Sequence, residues 1–310
     1  MATIRRLYIY LVCAVALQVL SWDLILLIQT LLPPGPQGSI ATIAMQCAVV
    51  IVGLPIFLVH WLWAQRLAGR ETEERGSALR RLYLYSMLAA FLFGIIGETT
   101  DLVMALVWRA VGSPGSFTGV VSAEETAVNA LIALAILPVL WFYHQRIVAA
   151  DALAIPETGN SAVVRRLYIL TFAVFGLARA ATAAIELLRW LMGLLISPSW
   201  GARQIAAFIV SVAVWAIFWT QAQRLFRGPD VEERESALRK VYLYLVVFIA
   251  ILSAVSVATM LLQGTLRGLL GLPVVGNLQE PLSVIIVAVV VWAYHALVLR
   301  DDATLADAGP

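Results

Sequence analysis

Five charged residues fall inside long apolar segments of the chain, where an ionised side chain is costly and is the first candidate for chemistry. They are Asp23, Glu98, Asp101, Arg179 and Glu186. Two hypotheses account for this intramembrane charge cluster. In the first, Arg179 pairs with one of the acids other than Asp23 and locks the two halves of the chain together. In the second, the cluster lines a proton or ion path. We favour the ion pair.

The depth of the acids also favours the ion pair. Asp23 and Glu98 each lie 17 residues after the second basic residue that opens their segment. At 1.5 Å per residue they are roughly 25 Å from that basic residue, close to the far edge of a hydrocarbon core of about 30 Å. The matching positions in the second half are Ala183 and Val257. A path that used both halves symmetrically would keep those acids. In the alternative hypothesis, Gln18, Gln46 and Gln204 would add polar lining to the proton or ion path.

The histidines raise the question of a cofactor. His144 and His295 occupy equivalent positions in the two halves, so they are possible haem ligands. Against this, both lie near the basic end of their segments, where an imidazole is readily solvated. The chain has three histidines, fewer than two-haem four-helix cytochromes need. No His and Cys spacing indicates zinc, and Cys13 and Cys47 are expected to be reduced thiols. We therefore predict no cofactor, with haem as the open alternative, and no enzymatic constellation.

Composition indicates which elements must hold these residues. Of the 310 residues, 62% are hydrophobic and 13% are charged, whereas soluble domains carry about a quarter charged residues. Apolar segments of about 20 residues, the length that spans a bilayer, recur throughout. The predicted fold is all-α, a polytopic membrane protein with eight transmembrane helices. The predicted spans are 7–31, 40–64, 82–108, 124–145, 167–192, 204–223, 241–262 and 281–298.

An internal repeat organises these spans. A basic doublet opens an apolar run four times, at Arg5-Arg6, Arg80-Arg81, Arg165-Arg166 and Arg239-Lys240. The segment 73–85, EERGSALRRLYLY, matches the segment 232–244, EERESALRKVYLY, at an offset of 159 residues. Self-similarity of this kind predicts tandem structural units. We predict four tandem hairpins in two parallel four-helix halves joined by a cytoplasmic linker. The hairpins are 1–75, 76–150, 163–231 and 232–310, the halves are 1–150 and 163–310, and the linker is 151–162.

Basic and aromatic residues predict the orientation in the membrane. Eight spans would place 16 of the 21 basic residues on the face that holds both termini. Because loops rich in Lys and Arg stay inside, we expect both termini to be cytoplasmic and the membrane to be the bacterial inner membrane. A Trp lies near the end of the second helix of each hairpin, and we predict these residues as interfacial anchors. They are Trp61, Trp141, Trp219 and Trp292.

The linkers that precede the second and fourth hairpins, residues 69–78 and 228–237, mix Glu and Arg closely. We predict solvated helix extensions held by exposed salt bridges, each contributing only about 0.5 kcal/mol. The alternative is a docking surface for a partner or for anionic lipid.

Small residues on the fifth span predict close helix packing. Gly176, Ala180 and Ala184 repeat every four residues and therefore share one helix face. Such ladders let two helix backbones approach each other in a membrane. The sequence predicts a tight helix crossing at this position.

One stretch resembles a known family. The sequence GLPIFLVHWLWAQRL at 53–67, followed by the EERGSALR linker, is similar to bacterial membrane proteins catalogued as domain of unknown function 5671. The first copy carries the resemblance through Pro55, His60, Trp61, Gln65 and Arg66. The resemblance extends over nearly the whole chain as tandem copies. It implies a helical fold and a membrane location, and it brings no activity with it.

Function is predicted on these grounds. We expect a structural or partner-binding subunit, or a scaffold, within a larger membrane assembly. The alternatives are a transporter or ion-conducting protein that uses the charge cluster with Arg179, and a haem-binding electron-transfer subunit that uses His144 and His295. The expected partners are the lipid bilayer and other membrane subunits or further copies of the chain, without nucleic acid.

Overall fold

The architecture is helical throughout the residues described. A computed structural model describes residues 2–33, 38–111, 122–193, 201–228, 233, 236–273 and 278–307, and no strand occurs among them. The first helices are α1 (Ala2–Leu31), α2 (Ile40–Arg70), the short α3 (Thr72–Arg75), α4 (Ala78–Val111) and α5 (Ala123–Ala154). They are followed by α6 (Asn160–Gly193), α7 (Ala202–Phe226), α8 (Ala237–Leu269) and α9 (Gln279–Asp307).

Eight of the helices within these ranges are long and apolar enough to cross a membrane, which confirms the predicted number of helices of spanning length. Each predicted span lies inside one of them. Lipid offers no hydrogen-bond partners to the backbone, and an α-helix satisfies its backbone N–H and C=O groups within one segment, so long apolar helices suit a membrane. The helices exceed the bilayer core in length: α8 has 33 residues, about 50 Å at 1.5 Å per residue.

Serine side chains cap the N-termini of two helices, α2 and α5. Ser39 Oγ accepts a hydrogen bond from the Thr42 backbone N–H at 3.2 Å, and Ser122 Oγ accepts one from Glu125 at 3.0 Å. Each cap satisfies a donor that the first helical turn leaves open. Residues 34–37 and 274–277 lie outside the described residues, and α8 extends as far as Leu269 before the second of these gaps.

The chain divides into two compact units, Met1–Tyr168 (unit 1) and Ile169–Pro310 (unit 2). In unit 1, α1 packs against α2, α4 packs against α5, and α1 also contacts α4 and α5. The division falls inside α6, whose first two turns belong to unit 1. The predicted halves, 1–150 and 163–310, stay a prediction. The unit 1 core includes Cys13, Leu84, Phe91 and Leu137, all fully buried.

Unit 2 contains a close approach of α6 to α7. A Cβ atom placed on Gly176 would lie 2.6 Å from the backbone nitrogen of Trp215 and 2.8 Å from its Cα. Only a residue without a side chain fits this approach, so the predicted tight crossing is confirmed. One turn before Gly176 in the chain, the rings of Phe172 and Phe218 lie 5.0 Å apart, and α8 packs against α9.

Candidate functional site

A buried ion pair connects α4 with the end of α5 in unit 1. Arg80 Nε lies 2.8 Å from Asp151 Oδ2, and the two side chains are 1% and 5% exposed. Arg80 Nη2 also donates to Gln65 Oε1 on α2 at 3.0 Å. Arg75 Nε donates to the other oxygen of Asp151 at 2.9 Å. Both carboxylate oxygens therefore have a guanidinium partner, as a buried charge requires.

Glu74, in the short helix α3, is a second buried acid. It is 1% exposed. Its Oε2 accepts from Arg6 Nε at 2.7 Å, and its Oε1 accepts from the Tyr10 hydroxyl at 3.0 Å. The prediction that the linker 69–78 is a solvated helix extension is wrong at this residue. Glu74 faces inward because Arg6 neutralises its charge and the Tyr10 hydroxyl donates a hydrogen bond to it. Glu71 and Glu73 in the same linker are exposed.

Glu157 holds the connection between α5 and α6. It accepts from the Tyr85 hydroxyl at 3.2 Å and from Arg165 Nη1 at 3.1 Å, and its Oε1 lies 3.3 Å from Arg81 Nη1. Arg81 also donates to the Val148 carbonyl at 3.1 Å. Cations near the carbonyl end of a helix are favoured by its dipole, so Arg81 stabilises the end of α5.

Unit 2 repeats the first of these arrangements. Arg239 Nη2 lies 2.7 Å from Asp302 Oδ1, and its Nε donates to Oδ2 at 2.9 Å, a bidentate pair. The same guanidinium donates to Gln223 Oε1 at 3.0 Å. We call each Gln–Arg–Asp set a polar trio: Gln65, Arg80 and Asp151 in unit 1, and Gln223, Arg239 and Asp302 in unit 2. Neither trio is predicted by the sequence patterns above.

Signals for the trios were present in the sequence. Asp151 and Asp302 each follow a histidine by seven residues, at His144 and His295. The glutamines belong to the Gln-Arg dipeptides that follow two of the predicted anchor tryptophans. The doublet arginines predict only the cytoplasmic face, and Asp151 falls in the predicted linker, so these patterns do not predict their pairing.

The four predicted anchor tryptophans lie in different environments. Trp61 is 3% exposed and donates to the Tyr143 hydroxyl at 2.7 Å, and Trp219 is 4% exposed and donates to the Tyr294 hydroxyl at 2.6 Å. Trp141 is half-buried, and Trp292 is 43% exposed. Their location at a membrane interface stays a prediction.

His144 and His295 each sit beside a tryptophan and a tyrosine of their own unit. The Nδ1 atom of His144 is 2.8 Å from the Leu140 carbonyl, and that of His295 is 2.9 Å from the Val291 carbonyl. Because a carbonyl only accepts, Nδ1 carries the proton in both rings. Tyr242 contacts His295 Nε2 at 3.4 Å.

His144 is the more enclosed of the two histidines. It is 1% exposed, its Nε2 has no hydrogen-bond partner among the described residues, and four aromatic rings surround it with centroids 5.3–6.1 Å away. Those rings belong to Trp61, Tyr83, Phe91 and Tyr143. Haem ligation by His144 and His295 stays a prediction. Across the described ranges, no group of three or more His, Cys, Asp or Glu residues is arranged to hold a metal ion.

The predicted charge cluster is spread over both units. In unit 1, Asp23 and Glu98 are half-buried and Asp101 is exposed, and Asp23 Oδ2 has no partner among the described residues. In unit 2, Arg179 and Glu186 are both exposed on α6. The pairing of Arg179 with one of these acids stays a prediction.

The eight long apolar helices are consistent with one class of protein, the multi-pass helical membrane proteins. The family model described as Domain of unknown function (DUF5671) matches residues 6–139 and again residues 166–294. The chain belongs to this family and carries two tandem copies of its domain. No curated protein and no solved structure matches the chain.

Proposed function

We propose that the protein is a structural, partner-binding subunit or scaffold of a larger assembly in the bacterial inner membrane. The observation that carries this proposal is the pairing within the polar trios. Arg80 and Arg239, buried in their units, bind Asp151 and Asp302 of the same unit. A group that binds substrate or moves a proton needs a free donor or acceptor, whereas these groups use theirs to join helices.

Exposed apolar surface supports the partner-binding part of the proposal. In the most apolar stretches of α2 and α8, only 11% of the residues are buried. Ile51 and Val59 on α2 are 70% and 64% exposed, and Val255 and Met260 on α8 are 57% and 67% exposed. In a membrane such surfaces meet lipid or another helix. A subunit presents them to its partners while its own polar groups stay paired.

The orientation belongs to the same proposal. Eight spans place the basic doublets and most other basic residues on the side of the membrane that holds both termini. We infer that both termini are cytoplasmic, because short basic loops are retained on that side. Reporter fusions to the two termini test this orientation.

Native mass spectrometry of the full chain, released from its own membrane in lipid discs, tests the function. We expect a complex that contains other polypeptides in fixed stoichiometry. Two double variants identify the face that binds the other polypeptides: Ile51→Ala with Val59→Ala on α2, and Val255→Ala with Met260→Ala on α8. The double variant on the binding face should lower the abundance of the complex, and the other double variant serves as its control. Recovery of the chain alone, in any number of copies, contradicts the proposal.

Ion or solute transport is the second candidate, and unpartnered polar atoms in unit 1 favour it. Asp23 Oδ2, Gln46 Oε1 and Gln18 Nε2 are buried without hydrogen-bond partners among the described residues. A bound water or ion is one way in which such atoms are satisfied. Proton or cation flux into proteoliposomes tests this function: Asp23→Asn lowers the flux if the acid lines the path. Wild-type flux equal to that of empty liposomes rejects it.

A further inference from the structure

An aromatic contact in unit 1 covers the start of α6. The rings of Tyr85 and Tyr168 lie 5.3 Å apart, and Trp141 Nε1 donates to the Tyr168 hydroxyl at 3.4 Å. Tyr85 is 7% exposed, and its hydroxyl also donates to Glu157 at 3.2 Å. The surface made by Tyr85 and Trp141, which we call the acceptor face, therefore receives the segment that follows the doublet Arg165-Arg166.

Unit 2 carries the same pair of residue types in an exposed form. Tyr244 is the repeat equivalent of Tyr85, at an offset of 159 residues, and Trp292 is the equivalent of Trp141, at an offset of 151. Tyr244 is 64% exposed and Trp292 is 43% exposed. The tyrosine and the tryptophan that contact Tyr168 in unit 1 therefore have equivalents in unit 2 that are exposed.

The segment that fits this face also occurs a second time. The sequence RRLYI that contains Tyr168 is found in identical form at residues 5–9, where Tyr8 takes the place of Tyr168. Tyr8 is 54% exposed, and its neighbours Leu7 and Ile4 are 55% and 74% exposed. The doublet tyrosines of the other two copies, Tyr83 and Tyr242, are 4% and 3% exposed. Only the start of α1 therefore combines the matching sequence with an exposed tyrosine.

We propose that the start of α1 in one copy of the chain docks on the acceptor face of unit 2 in a second copy. Tyr8 then contacts Tyr244 and accepts a hydrogen bond from Trp292, as Tyr168 does with Tyr85 and Trp141. The surfaces joined are different, so the interface is heterologous and its repetition gives a ring or an open row of copies. Tyr8 and Trp292 both lie near the basic ends of their helices, which places them at one depth for two copies of the same orientation.

This inference goes beyond the proposed function, which requires other polypeptides. Copies can associate in this way whether or not other subunits are present, and other subunits can bind where copies do not associate. The two proposals therefore fail independently.

Cross-linking between two differently tagged chains tests the contact. Both chains carry Cys13→Ala and Cys47→Ala. One also carries Tyr8→Cys and the other Trp292→Cys. Coexpressed in membranes and treated with a bifunctional maleimide, they should give a product that contains both tags. Either chain alone should give none. As a positive control, Trp141→Cys and Tyr168→Cys in one chain should cross-link within that chain.

Two outcomes overturn the proposal. In the first, the positive control reacts and no product containing both tags forms. In the second, a chain that carries Tyr8→Cys and Trp292→Cys together cross-links only within itself.

Energy transfer between labelled copies in liposomes measures the strength of the contact. Aromatic residues at the centre of an interface commonly dominate its affinity, so Trp292→Ala should weaken association by about tenfold or more. Trp63 on α2 is the matched control, because it is also 43% exposed, and Trp63→Ala should leave association unchanged. Equal losses in the two variants indicate general membrane anchoring by tryptophan and overturn the proposal.

Discussion

The guanidinium of Arg80 lies 2.8 Å from the carboxylate of Asp151, and neither side chain is more than 5% exposed. The two residues are 71 positions apart in the chain. The equivalent pair in unit 2, Arg239 with Asp302, is closer to water, since the Asp302 side chain is 27% exposed. An acid buried with its arginine cannot lose that partner without leaving a charge uncompensated. The pair therefore holds the end of α5 against α4.

Removal of the acid from this pair should destabilise unit 1 strongly. We expect Asp151→Ala to lower the free energy of unfolding by about 3–5 kcal/mol, because Arg80 is then buried without a counter-charge. Asp302→Ala should cost less, because water already reaches that pair. Equilibrium unfolding of the full chain in lipid–detergent micelles measures both changes.

The control for this prediction is an exposed ion pair. Arg189 and Glu280 lie 3.8 Å apart, with side chains 44% and 61% exposed. Exposed pairs contribute at most about 1 kcal/mol, so Glu280→Ala should have little effect. A loss for Asp151→Ala no larger than the loss for Glu280→Ala contradicts the structural role assigned to the buried pair.

The helices and one helix contact could be predicted from sequence because the signals are local. Eight apolar runs of spanning length predict eight helices, and the small residues that begin with Gly176 predict the close approach to α7. In both cases the information lies within a single helix. In soluble proteins a short apolar run fits either a helix or a strand. In lipid an isolated strand cannot satisfy its backbone hydrogen bonds, so the helix is the structure expected.

The polar trios could not be predicted in the same way. Whether Arg80 points to water or into the unit depends on Asp151 and Gln65, which lie on other helices. A doublet arginine near a membrane surface has a favourable solvated state, so the position of Arg80 in the sequence does not by itself predict its burial. Burial becomes favourable only when the whole set of partners is assembled, and pairwise sequence patterns do not reveal such a set.

The indole of Trp61 should stabilise unit 1 through its hydrogen bond as well as its burial. It donates to the Tyr143 hydroxyl at 2.7 Å. In a double-mutant cycle with Trp61→Phe and Tyr143→Phe, we expect a coupling free energy of about 1 kcal/mol, the net value of one such bond. The cycle for Trp219 and Tyr294 in unit 2 should give a similar value, since that bond is 2.6 Å long.

The exposed Trp63 separates this effect from membrane anchoring. If tryptophans contribute mainly as interfacial anchors, Trp63→Phe and Trp61→Phe should have similar effects on stability. If burial and hydrogen bonding dominate, Trp63→Phe should change the unfolding free energy by less than about 0.5 kcal/mol, as surface substitutions usually do. Zero coupling in both cycles would exclude the hydrogen bonds as a source of stability.

The close approach at Gly176 predicts a reversal in sign for a common substitution. Replacing glycine by alanine inside a helix normally favours folding by roughly 0.5–1 kcal/mol. At Gly176 the added methyl would meet backbone atoms of Trp215 at 2.6 and 2.8 Å. Backbone cannot move aside as a flexible side chain does, so Gly176→Ala should lower the unfolding free energy by about 1–3 kcal/mol, and Gly176→Leu by more.

Gly97→Ala is the control, because a Cβ there has no heavy atom within 4 Å. It should leave stability unchanged or raise it. Thermal unfolding of the three variants in the same lipid discs makes the comparison, and equal midpoints for Gly176→Ala and Gly97→Ala would contradict the close approach of α6 to α7.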